Sequence, residues 1–171
     1  MTPPRFHLIC GSTGAGKTTC ARALADRLGG VHFSIDEWMV ALFWADSPQP
    51  IEFAWTLARV HRCEAQIMAM AIQCARRGLP VVLDLGFTKA DSRAKIAGLA
   101  ADAGFSSQLH YVDTTVAERW RRVQERNRTR GDTFTLEVTR PMFDFIETLW
   151  EPPSETEMAA WDGVTIGAEM R

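Results

Sequence analysis

The chain reads as an α/β domain with a mainly parallel sheet. Short apolar runs alternate with amphipathic stretches along its length, a glycine-rich loop joins the first pair, and two of the runs lead into aspartates, Asp36 and Asp84. Alternation of this kind makes helices the return path between parallel strands, with right-handed crossovers. At 171 residues and 46% hydrophobic, the chain is long enough for one sizeable core and too short for two ordinary domains, so residues 1–171 are expected to form a single unit.

Residues 6–10, Phe-His-Leu-Ile-Cys, are a short apolar run suited to a buried parallel strand. Gly11-Ser12-Thr13-Gly14-Ala15-Gly16-Lys17-Thr18 follows and fits the spacing G-x-x-x-x-G-K-[ST]. The glycines let the backbone turn tightly and aim N–H groups at phosphate. Lys17 reaches the β- and γ-phosphates, and Thr18 offers its hydroxyl to Mg2+. Residues 18–28 read as a helix whose N-terminal dipole faces the anion, and Gly29-Gly30 stops it. ATP and Mg2+ are the expected ligands, held by residues 11–18 together with Thr19. A phosphate-binding loop in this setting makes the expected architecture a three-layer α/β/α sandwich of the P-loop NTPase type.

Residues 31–35 look like a second strand, delivering Asp36 and Glu37 to the sheet edge where ligands gather in open parallel sheets. An apolar, aromatic-rich segment covers 38–45, and Pro48 and Pro50 break it. Apolar spacing at Phe53, Leu57, Val60, Ile67, Met70, Ala71 and Cys74 predicts a long helix over about 52–77, ended by Gly78. Residues 80–85 form the clearest strand. A helix over 89–103 stopped by Gly104, a strand over 107–112, and a charged helix capped by Thr114 or Thr115 and running to about Arg128 come next. After a break at 128–132, a further helix is expected over 137–149, a turn at 151–153 and a fifth strand at 163–166, with 167–171 fraying.

Three groups of residues are candidates for chemistry. Phosphorylating a hydroxyl calls for a carboxylate beside it, to orient it and take its proton. Asp36 suits that role, with Glu37 as the fallback. The plainer role for Asp36 is a helix N-cap, which Ser34 could fill instead. Asp84 ends its strand where P-loop NTPases keep a magnesium-organising aspartate; the alternative is a carboxylate satisfied by nearby backbone N–H groups. Thr18, Asp84 and Asp36 are thus the metal candidates. Asp113 also ends a strand, but Thr114-Thr115 after it makes capping the better explanation.

The arginines at 119, 121, 122, 126, 128 and 130 form the second group. Guanidinium groups over the β- and γ-phosphates stabilise charge spread over a transferring phosphoryl group, and arginine also stacks on adenine. A solvated basic face is the bland alternative. Beside the Gly131-Asp132 break, the cluster suggests a mobile lid over 122–134. Arg126 is the first choice for phosphate and for a share in catalysis, Arg122 for adenine or phosphate, and Arg130 a further candidate. The third group lies in an insertion over 37–62, where Trp38, Phe43, Trp44, Phe53 and Trp55 stand beside Arg59, His61 and Arg62. It could wall an acceptor pocket, with rings for an apolar body and arginines for an anionic group, although aromatics at helical spacing also build cores. His61 reads as a surface histidine.

Composition narrows the partners. A net charge of -2 gives no bulk attraction to nucleic acid or an anionic membrane. No apolar run approaches the roughly 20 residues that span a bilayer, and residues 1–5 lead straight into a strand, so a cytoplasmic protein is expected. The four cysteines lack metal-ligand spacing. Cys63 and Cys74, 11 residues apart on one helix, are separated by roughly 16 Å of rise, so reduced thiols are expected.

With GSTGAGKT at 11–18, Ser34-Ile35-Asp36, LDLGFT at 83–88 and ERWRRVQERNRTRGD at 118–132, the chain resembles small P-loop kinases. Within them it is similar to the AAA-type ATP-binding proteins related to zeta toxins and chloramphenicol phosphotransferase, over nearly its whole length. The likeness implies a five-stranded sheet of order 2-3-1-4-5, Asp36 as catalytic base, and lid arginines at 122 and 126 on ATP. It also implies the usual loop roles for Lys17 and Thr18, and a 151–153 turn near the adenine. A ring-forming motor is not expected, since the sequence shows no second helical domain, sensor segment or arginine finger.

The leading expectation is an ATP-dependent phosphotransferase acting on a hydroxyl of a small molecule, such as an antibiotic, sugar or nucleotide sugar. The alternative is a nucleotide-dependent switch or regulatory ATPase that hydrolyses slowly while a partner protein reads its state. An N-K-x-D stretch is missing, which argues against a Ras-type GTPase. A nucleic-acid partner is not expected, because no basic and aromatic groove for single strands is evident. Homodimerisation is left open by every residue.

Overall fold

The alternation of side chains along β1 (Phe6–Cys10) generates the layers. In the computed structural model, which describes residues 5–131, 134 and 137–167, Phe6, Leu8 and Cys10 pack into one core and Ile9 into another on the opposite face. Both faces are covered, so every residue of this central strand is buried. The remaining elements are α1 (Lys17–Leu28), β2 (Val31–Ser34), α2 (Ile35–Phe43), a 3-10 turn (Trp44–Asp46), α3 (Phe53–Ala75), β3 (Val81–Asp84) and α4 (Ala90–Asp102). They continue with β4 (Ser107–Val112), α5 (Val116–Thr129), α6 (Arg140–Leu149), α7 (Glu155–Ala160) and β5 (Val164–Ile166).

The five strands pair in parallel in the order β2-β3-β1-β4-β5, the order implied by the resemblance. On one face α3 and α4 bury Ile67, Ala71, Ile96 and Ala100 against Phe6, Leu8, Leu83 and Leu109. On the other, α1 buries Ala21, Leu24 and Ala25 against Ile9, Val82 and Val112. A smaller cluster of Val123, Val138 and Phe143 joins α5 to α6 beside the phosphate loop.

Several boundaries differ from expectation, for local reasons. The second strand stops at Ser34, whose hydroxyl accepts from the Glu37 N–H and starts α2 at Ile35. Asp36 therefore stands on the first helical turn instead of ending the strand, and the N-cap role belongs to Ser34. The helix expected from 137 begins at Arg140, where Thr139 caps it and a proline occupies its first turn. Helix α7 was not expected; its signature is the capping box of Ser154 and Glu157. Of the lid expected over 122–134, the break residue Asp132 and Thr133 lie outside the described residues, as do 168–171 of the expected frayed end. None of the four cysteines is in a disulfide among the described residues; Cys10 and Cys63 are buried and Cys20 and Cys74 half-buried.

One buried cation ties α4 to α7 and to the segments on either side of the cleft rim. Arg93, fully buried on α4, donates to both Glu157 carboxylate oxygens at 2.7 and 3.2 Å and to the carbonyls of Phe87 and Glu151. Its charge is thereby paired and four of its five N–H donors are used, the condition under which a buried charge is tolerated.

Candidate active site

The phosphate loop leaves β1 at Gly11 and enters α1 through Gly16, which has φ 99° and gives the helix no side-chain cap. The first N–H groups of α1 are thus left to an anion in front of them, where the helix dipole favours negative charge. Gly14, at φ 79°, lets α5 approach: a Cβ there would run into the Arg119 carbonyl oxygen and the Val123 side chain. Lys17 Nζ lies 3.3 Å from the Ser12 carbonyl oxygen, curled back over the loop.

The loop is braced from behind by residues that the motif does not include. Arg119, 5% exposed, donates to the Thr13 and Thr114 carbonyls and grips the Glu147 carboxylate with both terminal nitrogens at 2.5 and 2.6 Å. Ser12 Oγ donates to the same carboxylate. The Arg119 guanidinium, and Ser12 after it, hold the Glu147 carboxyl below the usual carboxylate range. Arg119 therefore supports the loop from beneath and does not extend into the cleft. Glu147 gives no sequence signal, being one acid among several on an amphipathic helix.

Beside the loop, Thr18 Oγ1 donates a 2.7 Å hydrogen bond to Asp84 Oδ2. Asp84 is buried at the end of β3, in register with Ser34 of β2, so Thr18, Asp84 and the start of α2 meet at one sheet edge. No group of three or more metal-ligating side chains occurs among the described residues. A hydroxyl and one or two carboxylates beside a phosphate site nonetheless suit Mg2+, which keeps several waters and takes substrate oxygens. The residues present fit the ion.

Asp36 lies on the floor of the same cleft. Its side chain is exposed to the water of the cleft, with protein packed around the cleft behind it. Partial desolvation by the surrounding protein first, and then the Asp84 carboxylate, raise its pKa, against the pull of Lys17 and Arg126. Arg126 faces it from α5 with a buried Nε that has no hydrogen-bond partner among the described residues. Arg126 lines the same cleft as the phosphate loop, and a guanidinium with an unused donor there is a fitting contact for a phosphoryl oxygen.

The remaining arginines divide. Arg122 lines the cleft, tied to Glu118 at 2.7 Å and to the Ala15 carbonyl at 3.2 Å. Arg121 and Arg128 are exposed and paired with Glu118 and Glu125. Arg130 is drawn away: it caps α5 in the left-handed region, stacks 5.3 Å from the Phe134 ring and reaches Glu137 at 3.9 Å. It is not among the residues lining the cleft.

The cleft has a volume of about 940 Å³ and runs from the loop into the 37–62 insertion. Met39, Val40, Trp44, Ile51, Phe53 and Trp55 line that end, so three of the five aromatics expected to wall it are present. Trp38 and Phe43 instead pack against the core, and His61 is exposed. Arg59 stacks 3.8 Å from the Trp55 ring and Arg62 lies 5.9 Å from Phe43, neither lining the cleft. Trp150 and Leu149 line the opposite rim, whereas Glu151 of the expected adenine-side turn bonds to Lys89 and the Ala90 N–H. No lining side chain comes from 151–153.

A parallel 2-3-1-4-5 sheet with a phosphate loop after β1 and acidic groups at the neighbouring strand ends defines a P-loop nucleotide-binding protein. The family description "AAA domain" matches residues 6–148, and the chain belongs to that family. Its fold is similar to that of the Mycobacterium tuberculosis APS kinase CysC in complex with AMPPNP and APS, with TM-score 0.68 and 19% identity over 98% of this chain and 90% of that one. It is also similar to Chaetomium thermophilum Kti12 in complex with ADP-AlF3, at TM-score 0.66 and 18% identity over 96% and 89% of the two chains. A gluconokinase from Sinorhizobium meliloti 1021 aligns at TM-score 0.59 and 16% identity, over 99% and 85%. No curated protein matches significantly. The fold is that of small P-loop kinases.

Proposed function

We propose that this protein transfers the γ-phosphoryl group of ATP to a hydroxyl of a small molecule. The observation that carries the reading is the position of the Asp36 carboxylate in one continuous cleft, lined by the phosphate loop at one end and by apolar side chains at the other. A hydrolytic switch has no use for a chamber beyond its base; a transferase has. In the proposed step Asp36 accepts the acceptor's proton as its oxygen bonds to the γ-phosphorus, while the bond to the β–γ bridging oxygen breaks and ADP leaves. Lys17, the α1 N-terminus and the Arg126 donor stabilise charge on the phosphoryl oxygens. Thr18 and Asp84 would hold Mg2+, which supplies charge neutralisation at the β- and γ-phosphates.

Support comes from the AAA-domain membership and from structural neighbours that include an APS kinase, a gluconokinase and complexes with AMPPNP and ADP-AlF3. The test is ATP consumption with Mg2+ across a panel of hydroxyl compounds, comparing the native chain with Asp36→Asn and Lys17→Ala. Acceptor-stimulated turnover lost in both variants supports the proposal. ATP binding with only slow, acceptor-independent hydrolysis moves the assignment to a nucleotide-dependent switch.

A further inference from the structure

We infer that the acceptor is a neutral hydroxyl compound with an apolar, ring-bearing body, not a sugar acid or a phosphorylated metabolite. The inference rests on the phosphotransfer reading and concerns the chamber beyond Asp36. Asp36, Met39 and Val40 are spaced i, i+3 and i+4 on α2, so the base and one wall share a helix face. Phe53 and Val60 of α3, with Trp44 and Ile51 between the helices, form the rest.

The wall is costly without a ligand. Phe53 is 73% exposed, Ile51 43% and Trp44 41%, three large apolar side chains grouped at one cleft end and wetted there. Ser47 and Thr56 also line this end; their hydroxyls donate to the Trp44 and Glu52 carbonyls, which leaves their oxygens to accept from a neutral donor such as a hydroxyl.

Charge points the same way. The cations lining the cleft, Lys17, Lys89, Arg122 and Arg126, come from the phosphate loop, the residues after β3, and α5. Lys89 is paired with Glu151 at 2.9 Å. The two arginines that sequence reasoning offered to an anionic acceptor, Arg59 and Arg62, are stacked on rings outside the lining. An anion in the chamber would lie against apolar walls and near the Asp36 and Asp84 carboxylates, exchanging its hydration for repulsion.

The test uses 2-naphthalenemethanol as the neutral alcohol and a near-isosteric pair that differs in charge, 6-(hydroxymethyl)-2-naphthamide and 6-(hydroxymethyl)-2-naphthoate, with gluconate as a polyol anion. Phosphorylation by ATP, and equilibrium dialysis of each compound with AMPPNP present, are measured on the native protein and on Phe53→Ser. Phe53 is solvent-exposed at the first residue of α3, so its replacement leaves the core intact. Both neutral naphthyl alcohols are expected to bind and turn over at least about tenfold better than either anion, and Phe53→Ser to weaken them about tenfold. Preference for an anion, or an alcohol affinity indifferent to Phe53→Ser, overturns the inference. Dialysis keeps the two readings apart: the alcohol binding selectively with no transfer to any acceptor would sink the phosphotransfer reading alone.

Discussion

Thr18 Oγ1 and Asp84 Oδ2 lie 2.7 Å apart, joining the last residue of the phosphate loop to the end of the adjacent parallel strand. This bond fixes the Thr18 hydroxyl and the Asp84 carboxylate against each other beside the phosphate loop. Asp84→Ala is expected to raise the Mg2+ concentration for half-maximal ATP turnover about 10–100-fold, the usual cost of removing a supporting group at a metal site. A magnesium titration checks it, and an unchanged midpoint removes Asp84 from the ion's surroundings.

The raised pKa of Asp36 sets a pH profile. A general base works deprotonated, so turnover should climb as pH rises through a value above the ordinary carboxylate range. Asp36→Asn should cut turnover by about 10²–10⁴-fold and abolish that acid limb. The linkage runs the other way. Because the folded state holds the proton more tightly than the unfolded chain, ionisation above the folded pKa destabilises the protein. Asp36→Asn should therefore melt higher than the native chain at neutral pH, a gain in stability that accompanies lost activity.

Glu147 acts through Ser12 and Arg119, which makes it a positioning residue. Glu147→Ala leaves Arg119 buried and unpaired and frees the loop, so a stability loss of about 3 kcal/mol is expected together with a rise in KM for ATP. A purely structural role would lower the melting temperature without moving KM, and steady-state kinetics on the folded fraction separates the two.

His7 and His110 on adjacent strands share a 3.0 Å contact between Nδ1 and Nε2 in the interior. Burial first, and then nearby charge, lower both to about 4. The unfolded histidines take up protons near pH 6.5 and the folded pair does not. Stability should fall as pH drops below about 6.5 and level off near 4, with a slope of up to about 1.4 kcal/mol per pH unit for each proton. Denaturant midpoints across that window test this, and His7→Phe should flatten the slope.

Much of the nucleotide side was legible in the sequence because its parts are contiguous. Gly11 to Thr18 carries strand exit, turn, charge and helix entry within eight neighbouring residues, and each physical duty depends on residue type at fixed spacing. The strand ends at 34–36 and 83–84 were visible as apolar runs terminating in polar groups. The parallel α/β architecture followed from the alternation.

Partner choice among distant side chains was not legible. Six arginines between 119 and 130 look equivalent in sequence, since each is a long cation on a charged helix. Only packing separates Arg119, buried on Glu147, from Arg126, with its orphaned Nε, and from Arg130, drawn to Phe134 and Glu137. The same holds for the insertion, where periodicity marked Trp38, Trp44 and Trp55 alike, yet Trp38 faces the core and the other two face the cleft. By itself, the sequence determined the sheet class, the phosphate loop and the set of available chemical groups, because these depend on local spacing and hydrophobic period. The tertiary structure alone decided which of those groups meet: Thr18 with Asp84, Ser12 with Glu147, and Asp36 between Arg126 and an apolar chamber. Such contacts cross tens of residues and depend on how helices pack onto the sheet.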